Sequence, residues 1–114
     1  EVASSVVVQY DGDADRTYLT GFSFGGNGVF DLGAVQRGFW AALWAVDPTR
    51  APRVHPDVPV WISAGQIARS HEQAFRTALP DATWVDDGED HVGSATRAYR
   101  DDRVYEWLLA RRRP

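Results

Sequence analysis

The sequence predicts an α/β protein built on a mostly parallel sheet with flanking helices. Two short apolar runs, residues 39–46 and 58–64, have the length of strands that are buried on both faces. They alternate with longer segments whose apolar residues recur at helical spacing, as in βαβ units. With 114 residues, 44% of them hydrophobic, the chain is long enough for one core. We therefore predict a single domain over residues 1–114.

The pattern of the first element, residues 2–10, is compatible with two kinds of secondary structure. Residues 2–10 put Val2, Val6 and Tyr10 on one helical face, which predicts the last part of an amphipathic helix. The β-branched run at residues 6–8 leaves a strand open as the alternative.

The later elements follow from apolar spacing and from turn residues between them. Asp and Gly at residues 11–15 predict a turn, and residues 87–93 are predicted to be a loop. Strands are predicted at 16–22, 39–46, 58–64 and 82–86, and helices at 24–37, 67–79 and 101–112.

Charge and composition exclude several classes of protein. A net charge of −4 argues against a nucleic-acid binder, and the basic run Arg111–Arg113 is interpreted as a solvated helix end. The chain has no Cys, so disulfides, thiolate catalysis and cysteine zinc sites are excluded. His55 and His71 lack metal-ligand spacing, and we expect no metal or cofactor. No apolar run is long enough for a membrane span and no signal peptide is visible, which leaves the cellular compartment undetermined.

The strongest local signal is Gly21-Phe22-Ser23-Phe24-Gly25, which fits the G-x-S-x-G pattern of a nucleophile elbow. A predicted strand precedes it and a predicted helix follows, as the motif requires. Glycines two residues before and after the serine let the strand and helix backbones approach each other. The next residues, 26–28, have the composition of a phosphate loop, but the chain contains no Lys to complete one.

Three segments resemble the α/β-hydrolase superfamily, in particular its esterase, phospholipase-like and polyhydroxybutyrate-depolymerase-like group. They are DADRTYLTGFSFGGNGVF at residues 13–30, VPVWISAG at 58–65 and GEDHVGSATRAYRDDRVYEWLL at 88–109. Their order matches the C-terminal half of that fold, from its fifth to its eighth strand. The resemblance therefore implies a truncated α/β-hydrolase that lacks the N-terminal strands.

The resemblance also implies roles for individual residues. Ser23 matches the nucleophile and His91 the general base, in the chain order of the superfamily. The backbone N–H of Phe24 would be one oxyanion donor, and Phe22 and Phe24 are candidates for substrate contact.

The acid of the triad is missing from its usual position, because Gly65 is followed by Gln66-Ile67-Ala68-Arg69 instead of a carboxylate. Some lipases of the superfamily carry the acid after the sixth strand, which makes Asp47 the first candidate. Its alternative interpretation is a turn residue before Pro48. Four carboxylates near His91 are the other candidates, although solvated loop residues are the more common case: Asp86, Asp87, Glu89 and Asp90.

Two functions remain open on the sequence. The first is a serine carboxylesterase that acts on small short-chain acyl esters through an acyl-enzyme on Ser23. The second is a non-catalytic remnant or fragment that serves as an association module. Without the N-terminal strands, residues 16–22 would form an exposed sheet edge, which predicts a homodimer or a second chain pairing there.

Overall fold

The computed structural model describes residues 6–10 and 16–112. Within these residues, five strands form one sheet: β1 (Val6–Tyr10), β2 (Thr17–Phe22), β3 (Ala42–Val46), β4 (Val60–Ala64) and β5 (Thr83–Asp86). The same part of the chain contains five helices that flank the sheet: α1 (Phe24–Val35), α2 (Gln66–Ser70), α3 (Glu72–Ala78), α4 (His91–Tyr99) and α5 (Asp102–Leu109). The predicted α/β class with a mostly parallel sheet is confirmed. The predicted turn at residues 11–15, residues 2–5 of the first element and Arg113 lie outside the described residues.

The sheet has the strand order β1-β2-β3-β4-β5, and β2 to β5 run parallel. Phe22 pairs with Val46, Val46 with Ser63, and Ala64 with Asp86. The carboxyl ends of the four parallel strands therefore meet at one edge of the sheet, where open α/β sheets hold their sites.

The helix predicted over residues 2–10 is wrong where the structure describes it. Residues 6–10 form β1, which pairs antiparallel with β2 from Val6 opposite Gly21 to Tyr10 opposite Thr17. The β-branched residues suit a strand, and the edge of β2 offers unpaired backbone groups that a helix could not use. β2 is consequently an interior strand. The exposed edge at residues 16–22 is not present, and the expected dimer or second chain at that edge loses its basis.

Both faces of the sheet are covered, which explains the continuous apolar runs of the central strands. One face carries Leu19, Leu43 and Ile62 and packs against helix residues that include Phe30 and Phe75. The opposite face carries Trp44 and Trp61 and packs against α5. Residues of one strand thus serve two core layers in alternation, as the strand period requires.

The predicted helix at 67–79 is two helices that meet at His71. The φ of −119° at His71 ends α2, and α3 begins at the following residue. The helices contribute Ala68 and Phe75 to the same core cluster. The apolar spacing continues across His71, so periodicity alone does not reveal where one helix ends and the next begins.

Among the helices within residues 16–112, none combines the length and the apolar character that crossing a bilayer requires.

Candidate active site

Three of the residues singled out in the sequence meet at the carboxyl edge of the sheet. Ser23 follows β2, Asp47 follows β3, and His91 begins α4 after β5. Nε2 of His91 lies 3.0 Å from Oγ of Ser23, and Nδ1 of the same ring lies 2.5 Å from Oδ2 of Asp47. The three side chains thus form one continuous hydrogen-bonded chain.

Ser23 sits in the tight strand-to-helix turn that its motif predicts. Its φ of 61° and ψ of −121° are unusual for a residue with a side chain. A Cβ at Gly21 would lie 2.3 Å from the carbonyl oxygen of Gly25, so the turn closes only with glycine at position 21. Ser23 donates its own N–H to the carbonyl of Val46 at 2.9 Å, and its side chain makes no capping bond to α1. The hydroxyl is therefore available to His91.

Asp47 is fully buried, with 0% of its surface exposed. Its Oδ1 accepts hydrogen bonds from the N–H groups of Gly65 at 3.0 Å and Ala68 at 2.7 Å. Its Oδ2, which faces His91, also accepts a longer bond of 3.4 Å from the N–H of Ile67. These donors supply the partners that a buried charge needs and fix the orientation of the carboxylate. The donors belong to residues 65–68, the segment in which the resemblance predicts the acid itself, and they bind a carboxylate that follows β3 instead.

His91 is the first residue of α4, so the loop predicted over 87–93 is wrong in its last three residues. Asp90 caps the helix by accepting from the N–H of Gly93 at 2.7 Å. The ring of Phe22 stacks on the imidazole with centroids 4.8 Å apart. The side chain of His91 is 28% exposed, so part of the ring is accessible to solvent.

The hydrogen-bond partners assign the tautomer of His91. An ionised Asp47 only accepts, so Nδ1 carries the proton and donates to it. Nε2 is then the acceptor for the hydroxyl of Ser23. This is the arrangement that a general base needs before it takes a proton from a nucleophile.

The four other candidate acids have different partners. Asp86 pairs with Arg69 through two hydrogen bonds, of 2.6 and 2.9 Å, and these lower the pKa of the Asp86 carboxyl below its ordinary value. Arg69 also donates to the carbonyl of Glu89, which ties the loop before His91 to α2. Asp90 serves as a helix cap, and the remaining two approach arginines: Asp87 with Arg103 and Glu89 with Arg97.

The two phenylalanines of the elbow have different surroundings. Phe22 is buried beneath His91, whereas Phe24 is 67% exposed at the start of α1. The N–H groups of Gly26 and Asn27 donate to the carbonyl of Ser23 at 2.9 and 3.3 Å, whereas the N–H of Phe24 directly follows the nucleophile in the sequence. Val92 is also exposed, directly after the histidine. This exposure and its position in the chain make Val92 a further candidate for substrate contact, one that the sequence did not indicate.

The other two histidines lie outside this chain of hydrogen bonds. His55 contacts Asp57 at 3.1 Å in an exposed loop, and His71 joins α2 to α3. Residues 6–10 and 16–112 contain no cluster of His, Asp and Glu side chains arranged for a metal.

Gly65 is a position whose importance the sequence did not reveal. A Cβ there would lie 2.6 Å from Cβ of Ser94 and 2.8 Å from Cγ of Asp47. We predict that Gly65→Ala lowers the free energy of unfolding by about 1–3 kcal/mol through overpacking. Displacement of Asp47 should lower kcat as well. Urea denaturation and ester hydrolysis measure the two effects.

Gly38→Ala is the control for this change. Gly38 has a φ of 79° and open space around it, so alanine there is strained without touching the site. It should reduce stability and leave kcat unchanged. An equal loss of kcat in both variants would contradict the role given to Gly65.

No family model matches the chain, and no curated protein matches it. The likeness to α/β-hydrolases therefore stays a prediction from the sequence.

Proposed function

We propose that this chain is a serine carboxylesterase that hydrolyses small short-chain acyl esters through an acyl-enzyme on Ser23. One observation carries the proposal: Ser23, His91 and Asp47 form an unbroken hydrogen-bonded chain, with the nucleophile on a strained turn. A nucleophile, a base in contact with it and an acid that orients the base are the parts that acyl transfer requires.

Acylation begins when Oγ of Ser23 attacks the ester carbonyl and Nε2 of His91 takes the hydroxyl proton. The carbonyl oxygen becomes negative in the tetrahedral intermediate. It would face the first turn of α1, where the N–H of Phe24 and the positive helix end stabilise negative charge. The intermediate collapses as the C–O bond of the ester breaks, and His91 returns the proton to the leaving alcohol.

Deacylation repeats these steps with water. His91 takes a proton from water, and the resulting hydroxide equivalent attacks the acyl carbon. The bond between that carbon and Oγ of Ser23 then breaks, His91 returns the proton to Oγ, and the carboxylic acid product leaves. Throughout, Asp47 keeps the proton of the neutral ring on Nδ1 and stabilises the imidazolium that forms. No redox step and no second substrate besides water is needed.

The surroundings of Ser23 support a small ester as substrate. Residues 47–59, which connect β3 to β4, contain no helix that would form a cap. The residues that directly follow Ser23 and His91 in the sequence, Phe24 and Val92, have exposed apolar side chains. An uncharged acyl or alcohol group would therefore contact apolar surface, while a charged one would lose hydration there without gaining a partner.

The distances argue against the non-catalytic alternative. A remnant of a hydrolase would have no reason to keep Ser23 and His91 within hydrogen-bond reach or a buried carboxylate against the ring. The observed separations of 3.0 and 2.5 Å meet both conditions.

The proposal is tested by the time course of 4-nitrophenyl acetate hydrolysis. We expect hydrolysis well above the buffer rate, with one equivalent of 4-nitrophenol per chain released in an initial burst when deacylation is slower than acylation. Release at the buffer rate from folded protein would contradict the proposal.

A further inference from the structure

We infer that Asn27 is a positioning residue that holds Asp47 in the conformation from which it orients His91. The kinetic part of this inference rests on the proposed function, whereas the structural part does not. Asn27 lies on α1 one turn after Ser23, in the glycine-rich segment 26–28 that has no role in the proposed chemistry.

The side chain of Asn27 is buried, with 6% of the residue exposed, and it bonds to the loop that follows Asp47. Its Nδ2 donates to Oγ1 of Thr49 at 2.6 Å. Its Oδ1 accepts from the N–H groups of Thr49 at 2.9 Å and Arg50 at 3.3 Å. The amide group therefore binds both the side chain and the backbone of this loop, two and three residues after the acid.

Asp47 needs such support, because its φ of 40° lies in the left-handed region. Backbone conformations of this kind persist only where the surrounding structure over-determines them. Pro48 contributes by packing against α1, since a Cβ at Gly26 would lie 3.1 Å from Cβ of Pro48. Asn27 then fixes the backbone immediately beyond Pro48.

The side-chain amide of Asn27 connects Ser23 and Asp47 through α1. α1 begins directly after Ser23, and Ser23 donates its N–H to Val46, the residue before Asp47. Asn27 binds the same helix to Thr49, two residues after Asp47. The backbone is thus bound to the nucleophile and its helix both before and after Asp47, and loss of Asn27 would remove the bonds after it.

The first test measures ring-nitrogen chemical shifts of His91 by NMR, read through its carbon-bound ring protons. Asp47→Asn provides the reference in which the carboxylate contact is lost. We expect Asn27→Ala to move the shifts from the wild-type values toward that reference. Folded Asn27→Ala protein with wild-type shifts would overturn the inference, whether or not the protein hydrolyses esters.

The second test asks whether Asn27 acts on the reaction through Asp47. Asn27→Ala should lower kcat for 4-nitrophenyl acetate about 10- to 100-fold, since small displacements of catalytic groups cost that much. KM should change less than about threefold, because substrate contacts remain. When Asp47 is already replaced by Asn, Asn27→Ala should change kcat less than about threefold, because Asn27 affects the reaction only by positioning the Asp47 carboxylate. Equal losses in both backgrounds would overturn the inference.

Two further variants control for folding and for generic loop effects. Thr49→Val removes only the bond to Nδ2 of Asn27 and should act in the same direction more weakly; it replaces Asn27→Ala if that variant does not fold. Asp31→Ala removes the exposed contact of Asp31 with the Arg50 guanidinium and should leave shifts and kcat unchanged. If wild-type protein shows no hydrolysis, the proposed function fails while the NMR comparison still decides the role of Asn27.

Discussion

Ser23→Ala is expected to lower kcat for an aryl ester by about 10⁶-fold, the size of loss seen when a serine protease loses its nucleophile. Alanine removes the only atom that forms the acyl-enzyme and leaves the turn backbone as it is. Weak hydrolysis above the buffer rate is expected to survive, since oxyanion stabilisation and binding remain. Steady-state hydrolysis of 4-nitrophenyl acetate measures the effect.

Ser70→Ala is the matched control for this change. Ser70 is an exposed serine at the end of α2 whose hydroxyl donates to the carbonyl of Ile67. It should retain wild-type activity. Full activity in Ser23→Ala would refute the assignment of the nucleophile.

Asp47→Asn has the second-largest expected effect, a loss of about 10⁴ in kcat, as for the equivalent change in the serine protease triad. An asparagine can keep Oδ1 toward the N–H groups of Gly65 and Ala68, but it then presents its NH₂ to Nδ1 of His91. The imidazole would then carry its proton on Nε2, and a protonated Nε2 cannot accept the hydrogen bond from Oγ of Ser23. The fold should be kept while the base is lost.

Glu89→Gln separates this role from that of the loop carboxylates. Glu89 approaches Arg97 at 4.0 Å and has no bond to the imidazole in the structure. Its replacement should change kcat less than about twofold, as expected for an exposed pair. A large loss in Glu89→Gln together with a small one in Asp47→Asn would contradict the choice of acid.

The part of the site that follows from local chemistry was predictable from the sequence. The elbow requires glycines at fixed offsets and a strand before a helix, and residues 21–25 satisfy both conditions. Asp47 follows a predicted strand, and the resemblance to lipases that carry the acid after the sixth strand makes it the first candidate acid. Its contact with His91 depends on sheet order, which the sequence alone does not determine.

The predictions for β1 and for the start of α4 are wrong for different reasons. β1 carries a pattern compatible with both helix and strand, and the choice was decided by the free edge of β2. The start of α4 at His91 had a local signal, since Asp90 is a good N-cap residue three positions before Gly93. That signal was masked by the surrounding glycines and acids, which are typical of a loop.

Gly65 and Asn27 could not be identified from sequence, because their roles arise from close approach in space. Gly65 lies beside Asp47 and Ser94, and Asn27 lies beside Thr49, although the residues of each contact are far apart in the sequence. An isolated glycine after a strand or an asparagine between two glycines is typical of ordinary turns. Only the packing of α1 and α2 around Asp47 gives them a role at the site.

If His91 activates Ser23 as a nucleophile, a fluorophosphonate probe should label that serine. The probe is applied to folded wild-type protein and to His91→Ala, and the modified residue is mapped by mass spectrometry. We predict one equivalent of label on Ser23 in the wild type and essentially none in His91→Ala. If folded wild-type protein takes up no label, or takes it up at another residue, His91 does not activate Ser23 as a nucleophile.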